Sequence, residues 1–456
     1  MNEISNDTQT FDPSILSDEW QLQEQVVDES MKPLPNIQDC EYVQKIEKAS
    51  KLHILKEPYL RKAFTENQEY GLFSTFFTKS LMKCILNWTN EKLKTTIELI
   101  DMKTITSLEL EAYIGLEMAM SIIQLNDMKD YWSTKMFLGC EMFTKTMARD
   151  RFLAIRSRIQ IKVPGTYTHD QSHTDPLWMF RSLMNSFLKN STSIAVGTGA
   201  LALDENTVRT KARTKARSYI PSKPDPYGIR FYALCVWKYG YLFNFFDNNS
   251  GNTTGISQPL RYTDMFRNLR TPYERFFTEN RECGIDKDSA SALWMLQLGH
   301  CTKVLKDPCG KRWFFTDNFY TRHLLANGLN TFTNGEGKLI GTIKFNTVNG
   351  INRPGLKTAY AKLEKAARGS WCLVRAYNTN KSIENIRKKQ RALFFPGDDS
   401  IAKDSGYIVM KDSKIVTFYT NDLSKTPPAH VCGYGSSLSE MNLAIVAVNG
   451  VGKISR

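Results

Sequence analysis

Two short stretches decide the fold that this sequence predicts. The first is Ala202-Leu203-Asp204-Glu205-Asn206, and the second is Trp313-Phe-Phe-Thr-Asp317. In each, an apolar or aromatic run typical of a buried strand ends at an aspartate. If the two strands are neighbours in one sheet, the carboxylates of Asp204 and Asp317 lie close together at its edge. Paired carboxylates of this kind are typical of the two-metal site of a nuclease.

The segments around these aspartates predict a mixed α/β core. Five runs have the length and the apolar or aromatic content of strands. They are Ala195 to Leu203, Arg230 to Trp237, Tyr241 to Asp247, Lys311 to Thr316 and Lys338 to Phe345. A helical stretch at 321–329 precedes the last run. Three strands, an insert, a strand, a helix and a strand follow one another in the order of an RNase H-like core.

The regions on either side of this core show different patterns. Before the core, apolar residues such as Tyr113, Leu116 and Met120 recur at steps of three and four, which is typical of amphipathic helices. After the core, the segments 370–377, 407–410 and 414–419 have the character of strands. We therefore expect an all-helical domain before the core and a β-rich insertion domain after it.

These patterns divide the chain into five predicted parts. They are an acidic disordered leader at 1–40, a helical dimerisation and DNA-binding domain at 41–195, a core at 196–349 with a helical insert at about 248–310, a β-rich insertion domain at 350–430, and a tail at 431–456. The leader is rich in acidic and polar residues and cannot bury enough apolar surface to order itself.

The distribution of charge indicates the class of partner. The net charge is +13, but the first 30 residues contain eight acidic and no basic side chains, so the rest carries about +21. A body this basic favours a polyanion such as nucleic acid. No stretch of 18 apolar residues and no signal peptide is present, so we expect no membrane partner and a nuclear location.

Other site types are not indicated. The nine cysteines contain no CxxC pair, so neither a zinc finger nor a disulfide framework is expected. The glycine-flanked stretch at 251–255 lacks the lysine of a P-loop, so no nucleotide cofactor is expected.

A basic run follows the first aspartate. Its members alternate along what we predict to be one side of an extended segment beside Asp204: they are Arg209, Lys211, Arg213, Lys215 and Arg217. Cationic side chains in this position suit contacts with phosphates near a scissile bond. The alternative is a solvated charge run that binds nothing.

Several motifs together resemble the piggyBac-type transposases. In the helical part these are Asp130-Tyr-Trp-Ser133 and Met147-Ala-Arg-Asp-Arg-Phe152. The run from 204 to 228 and the segment Thr316-Asp-Asn-Phe-Tyr-Thr321 resemble the first two catalytic motifs of the family, and the hairpin at 411–420 resembles the strands before the third. The resemblance spans residues from about 105 to about 425.

The resemblance implies a DNA transposase. It implies that Asp204 and Asp317 are catalytic and bind Mg²⁺ or Mn²⁺, with Asp204 bridging two ions and Asp317 binding one of them. DNA and a second copy of the chain, as a homodimer, are the implied partners. Hard divalent cations prefer carboxylate oxygens to nitrogen or sulfur, which agrees with the residue types.

The third carboxylate of the family has no clear counterpart. In the family it follows a Gly-Val-Asp-like motif after the insertion domain, whereas residues 431–456 contain no aspartate. Glu440 is the only carboxylate in that stretch. We therefore expect a transposon-derived DNA-binding protein with an incomplete catalytic site. The alternatives are an active cut-and-paste transposase whose third carboxylate comes from Glu440 or from a downstream reading frame, and a basic protein-interaction scaffold without a DNA role.

Overall fold

The chain folds around one mixed β-sheet with helices before it and on its faces. The computed structural model describes residues 41–95, 103–135, 138–162, 175–210, 212–214, 216–221, 226–247, 310–348, 352–377 and 401–423. The helices are α1 Glu41–Ala49, α2 Glu57–Phe76, α3 Lys79–Thr95, α4 Ser107–Ile122, α5 Glu141–Thr146, α6 Arg149–Arg158, α7 Arg181–Ile194, α8 His323–Phe332 and α9 Arg353–Glu364. Short 3₁₀ turns lie at Met128–Trp132, Trp178–Phe180, Trp237–Tyr239 and Phe345–Thr347.

All of the described strands except the first follow α7. They are β1 Leu52–Ile54, β2 Ala195–Gly197, β3 Gly199–Arg209, β4 Ser218–Tyr219, β5 Tyr227–Val236, β6 Tyr241–Asp247, β7 Arg312–Thr316, β8 Gly337–Thr342, β9 Trp371–Tyr377, β10 Ile401–Lys411 and β11 Ile415–Thr420. Each predicted strand segment contains strand structure, but the run predicted at Ala195 to Leu203 is divided between β2 and β3, which belong to different sheets. The mixed helix-and-sheet fold class is confirmed.

Nine of the strands form one sheet. Its order is β4-β5-β3-β7-β8-β11-β10-β9, and β6 pairs with the outer side of β5. Strands β3, β5 and β6 run antiparallel to one another in turn, whereas β7 is parallel to β3 and β8 is parallel to β7. Helix α8 connects the two parallel strands β7 and β8, as parallel pairing requires a crossover. Along the chain, β3, β5 and β6 precede β7, α8 and β8, which is the chain order expected from the sequence.

Strand β7 is the centre of this sheet. All five of its residues are buried, and apolar clusters cover both of its faces. On one face Phe314 packs with residues of α8 and α9, and on the other Trp313 and Phe315 pack with Ile46 of α1. A strand covered on both faces is apolar without alternation, which explains why its aromatic run was visible in the sequence.

The helical part has a separate core, to which two of the family-like motifs contribute their aromatic residues. The Tyr131 hydroxyl donates to the carbonyl of Ile123 at 2.5 Å. The Trp132 indole donates to the carbonyl of Met147 at 2.8 Å, and the Phe152 ring lies 5.0 Å from the Trp132 ring. The aromatic residues of both motifs therefore hold the helices together.

The structure corrects two expectations about the regions that flank the core. The segment 41–195 is not all-helical, because β1 pairs with β2, with Leu52 opposite Gly197. The strands of the expected insertion domain at 350–430 continue the core sheet, because β11 pairs with β8, with Thr420 opposite Ile340. Exposed sheet edges attract further strands, and here the chain's own later strands occupy that edge.

The division into domains therefore stays a prediction, with one sheet continuous across the boundary expected at 349–350. The predicted leader and tail, and the helical insert except for Gly310, lie outside the described residues. No helix in the described ranges is long and apolar enough to cross a membrane.

Candidate functional site

The structure brings the two predicted catalytic aspartates to neighbouring positions. The last residue pair between the parallel strands β3 and β7 is Leu203 with Thr316. Asp204 is the next residue on β3 and Asp317 directly follows β7, and neighbouring strands lie about 4.8 Å apart. Because side chains alternate along a strand, the Asp204 carboxylate belongs to the sheet face of Ala202, whereas Asp317 opens the turn after β7. The two residues therefore share one edge of the sheet.

A tight turn fixes Asp317 directly after β7. Its Oδ1 atom accepts hydrogen bonds from the backbone nitrogens of Phe319 at 2.8 Å and of Tyr320 at 3.3 Å. The carbonyl of Asp317 accepts from the Thr321 hydroxyl at 2.7 Å. Asp317 itself is exposed. The turn thus holds the backbone and one carboxylate oxygen while the side chain faces solvent.

Glycine at position 341 of β8 allows this turn to close. A Cβ atom built on Gly341 would lie 2.2 Å from Thr321 Oγ1 and 2.4 Å from the carbonyl oxygen of Thr316. These two threonines are hydrogen-bonded through their hydroxyls at 2.8 Å. A larger residue at 341 would push the turn away and displace Asp317.

Asp204 lies within a strand and is held by it on one side. Strand β3 continues to Arg209 and pairs with β5, with Asp204 opposite Ala233. The backbone nitrogen of Glu205 donates to Asp204 Oδ1 at 2.7 Å. Burial and the charge of Asp204 raise the pKa of the nearby thiol of Cys235. Asp204 is half-buried, so its charge acts in a less polar medium than that of Asp317.

A third carboxylate, Glu205, lies beside the site, and the sequence reasoning did not select it. Strand alternation places Glu205 on the opposite sheet face from Asp204, where Arg230 Nη1 lies 3.4 Å from its Oε1. Burial raises the pKa of Glu205, the charge of Arg230 opposes that shift, and the charges of Asp317 and Asp204 add to it. The sequence shows that Glu205 follows Asp204 directly, but it does not show that Arg230 of β5 is the partner of Glu205.

The predicted basic run does not form one extended row. Alternation along β3 places Arg209 and Asp204 on opposite faces, and the chain turns after Thr210, with the Arg217 nitrogen donating to the Thr214 carbonyl at 3.1 Å. Arg213 is exposed. The guanidinium of Arg217 lies 4.6 Å from the ring centre of Tyr227. The role of this basic run in DNA binding stays a prediction.

Three of the predicted site residues lie outside the described residues: they are Lys211, Lys215 and Glu440.

The donor set suits a hard divalent cation. Both carboxylates at the edge are oxygen ligands, which Mg²⁺ and Mn²⁺ prefer. Within the described ranges, no group of three or more His, Cys, Asp or Glu side chains is arranged to hold a metal. Mg²⁺ is commonly bound by one or two carboxylates with water and substrate phosphates as its other ligands. Asp204 and Asp317 therefore fit such an ion in the presence of a phosphate ligand.

Comparison with known proteins finds similarity to transposases. Residues 68–275 match the family model described as Transposase IS4. The fold is similar to that of a piggyBac transposase solved by cryo-electron microscopy in a synaptic complex with hairpin DNA, with a TM-score of 0.58 and 16% sequence identity. The match covers 84% of this chain and 66% of that transposase, so the chain spans slightly less than two thirds of its length.

Proposed function

From the matched domain and the similar fold, we propose that this chain is a piggyBac-type, transposon-derived transposase that binds DNA and carries the carboxylates of a metal-dependent strand-cleaving and strand-joining site. The observation that carries the proposal is the position of Asp204 and Asp317, side by side after the last residue pair of two parallel strands. The strand order β6-β5-β3-β7-β8 supports an RNase H-like core as the scaffold of that site.

Asp204 and Asp317 would hold the Mg²⁺ or Mn²⁺ of this site. A bound divalent ion supplies Lewis-acid stabilisation of charge on the reacting phosphate and activates the attacking oxygen. In the proposal, the turn at 317–321 fixes the orientation of one carboxylate, and the pairing of β3 with β5 fixes the other. Residues held in this way lose little freedom when they bind, which favours a preorganised site.

Glu205 and Arg230 act in this proposal as positioning residues. Their ion pair joins β3 to β5 on the face opposite Asp204, and it restrains the strand segment that carries Asp204. The negative charge of Glu205 also adds to the potential that would attract a cation.

DNA is the proposed partner because the body of the protein is strongly basic outside its first 30 residues. Each phosphate that is neutralised by a basic side chain releases counterions, so the affinity should fall steeply as salt rises. A nuclear location and a homodimer belong to the same proposal, since transposase action requires access to chromosomal DNA and to two DNA ends.

The experiment that tests the proposal measures binding and cleavage together. The full chain is incubated with Mn²⁺ and a DNA that carries the sequences flanking its own gene, and products are resolved on a denaturing gel. Loss of the Asp204 or Asp317 carboxylate, as Asn, should reduce any cleavage by roughly 10²–10³-fold, as for other groups that stabilise transition-state charge, with DNA affinity retained. Asp412→Asn is the matched control, because Asp412 pairs with Arg368 in a distant hairpin.

Each outcome of this experiment supports or contradicts a specific part of the proposal. Cleavage that survives both substitutions at the strand ends contradicts the proposed site. Glu440→Gln tests whether Glu440 is a third metal ligand. Loss of cleavage in this variant would assign Glu440 to the site. Binding without cleavage in every variant favours a DNA-binding protein without activity, and an affinity that is weak and insensitive to salt favours the protein scaffold instead.

A further inference from the structure

Two tyrosines form an exposed pair at one end of the sheet. Tyr219 of β4 lies directly opposite Tyr227 of β5, and their ring centres are 4.9 Å apart. Tyr219 is 61% exposed and Tyr227 is 47% exposed. In the same sheet, by contrast, Trp313 is 1% exposed. The tyrosine pair therefore belongs to the surface and not to the apolar core.

This pair lies on the same face of the sheet as Asp204, one of the two catalytic candidates. Tyr227 and Ala233 are six positions apart on β5 and so point to the same side, and Ala233 is the residue opposite Asp204. At about 3.4 Å per residue, the pair lies about 20 Å from Asp204 along the strand. Val208, which alternation places on this face between them, is 53% exposed.

The surroundings of the pair are basic. The guanidinium of Arg217 is 4.6 Å from the ring centre of Tyr227, a distance typical of a cation–π contact. Arg213, four residues earlier, is exposed. The stacked arginine and the opposite strand limit the rotation of Tyr227, which in turn supports the more exposed ring of Tyr219.

An exposed aromatic ring beside basic side chains matches one kind of ligand closely. Single-stranded nucleic acid is bound by stacking of bases on aromatic rings and by contacts between phosphates and cations. A base inside a duplex has both faces covered by its neighbours and offers no free face to a tyrosine. The surface therefore distinguishes an unpaired base from a paired one.

We propose that Tyr219, supported by Tyr227 and Arg217, stacks an unpaired base of the DNA whose reacting phosphate lies at Asp204 and Asp317. The inference rests on the proposed function and specifies the form of DNA that the site takes: a strand end with an unpaired base about 20 Å from the reacting phosphate, which is about six nucleotide steps where the intervening DNA is a B-form duplex with a rise of about 3.4 Å per step. A cross-strand tyrosine pair also stabilises a hairpin, but that role alone would not discriminate between unpaired and paired DNA.

The test compares two labelled DNAs that differ only in one single-stranded overhang. Fluorescence anisotropy gives the affinity of the full chain for each, and 2-aminopurine, placed in turn at each overhang position, reports stacking through quenching of its fluorescence. Wild type should prefer the overhang, and Tyr219→Leu should lose on the order of tenfold in affinity for it, as expected for the loss of one stacked base. The affinity of Tyr219→Leu for the plain duplex should be unchanged, and Tyr219→Trp should retain the preference.

Tyr239→Leu is the matched control, because Tyr239 is 51% exposed at the opposite end of β5. Thermal unfolding of each variant shows whether it is folded. If the wild type binds both DNAs equally, or if Tyr219→Leu lowers stability without changing the preference, the stacking role is wrong while DNA binding stands. If no variant and no wild-type sample binds either DNA, the proposed function itself fails.

Discussion

The helical region and the ends of the parallel strands both contain motifs that resemble the same family. The two regions differ in how far the residues of these motifs are buried. In the helical region Tyr131, Phe152 and Arg151 face inward, and each is engaged in packing or hydrogen bonds. At the strand ends Asp317 is exposed and Asp204 is half-buried. Motifs that resemble one family are thus packed inside the protein in one region and open to solvent in the other, and burial and partners distinguish the two cases.

The largest effect that would test this contrast is on the helical core. Phe152 is fully buried between the rings of Tyr113 and Trp132. Phe152→Ala should lower the free energy of unfolding by about 3–5 kcal/mol, because it removes the ring and leaves a cavity. Urea unfolding followed by circular dichroism measures the change. The control Leu153→Ala, at a residue that is 41% exposed, should stay within about 0.5 kcal/mol, and equal losses would contradict the assignment.

The next effect concerns the arginine of the same motif. Arg151 binds Glu109 at 2.8 Å and donates to the carbonyls of Lys103 at 3.0 Å and Thr104 at 3.2 Å. Arg151→Met should cost about 1.5–3 kcal/mol of unfolding free energy, as for hydrogen bonds to charged groups. Arg149→Met, at a side chain that is 51% exposed, should cost less than about 1 kcal/mol. The same urea experiment compares them, and a larger loss at Arg149 would make Arg151 the phosphate-binding candidate.

At the strand ends the expected effect depends on metal. Mn²⁺ at about tenfold above its dissociation constant should stabilise the folded chain by about 1.4 kcal/mol. The double variant Asp204→Asn with Asp317→Asn should lose this gain. Without metal it should be at least as stable as wild type, because two like charges are removed. Differential scanning calorimetry with Mn²⁺ and with EDTA tests both statements, and a Mn²⁺ gain that persists in the double variant places the ion elsewhere.

The smallest effect is the pH dependence of the helical region. The hydrogen bond from Arg151 lowers the pKa of Glu109. A carboxyl whose pKa is lowered by folding stabilises the protein above its unfolded pKa of about 4.3, and that stability is lost as the pH falls through the folded pKa. Glu109→Gln should therefore cost about 0.5–1 kcal/mol at neutral pH, given partial solvent screening.

Acidification should bring the stabilities of wild type and Glu109→Gln together. Urea unfolding at neutral pH and at a series of acidic pH values measures the difference between the two proteins. A difference that stays constant down to pH values below the folded pKa would show that the ion pair does not contribute.

Much of the fold was accessible from the sequence. The apolar steps at 113–120 lie in α4 and the aromatic run at 313–315 lies in β7, because burial on one helical face, or on both faces of a strand, leaves a periodic or continuous apolar pattern. The two aspartates were also identified from the sequence, since each ends or interrupts such a run. The boundaries were less accurate, and β3 extends six residues beyond the predicted end at Leu203.

The sequence determined which segments become strands and helices and which carboxylates stand beside them, because these depend on neighbouring residues along the chain. Only the tertiary structure decided that β9–β11 extend the core sheet, that Arg209 lies on the face opposite Asp204, and that Glu205 is paired with Arg230. The physical reason is that strand pairing joins residues far apart in the chain. The order and register of that pairing set the face and the partner of each side chain, and local sequence patterns do not record either one.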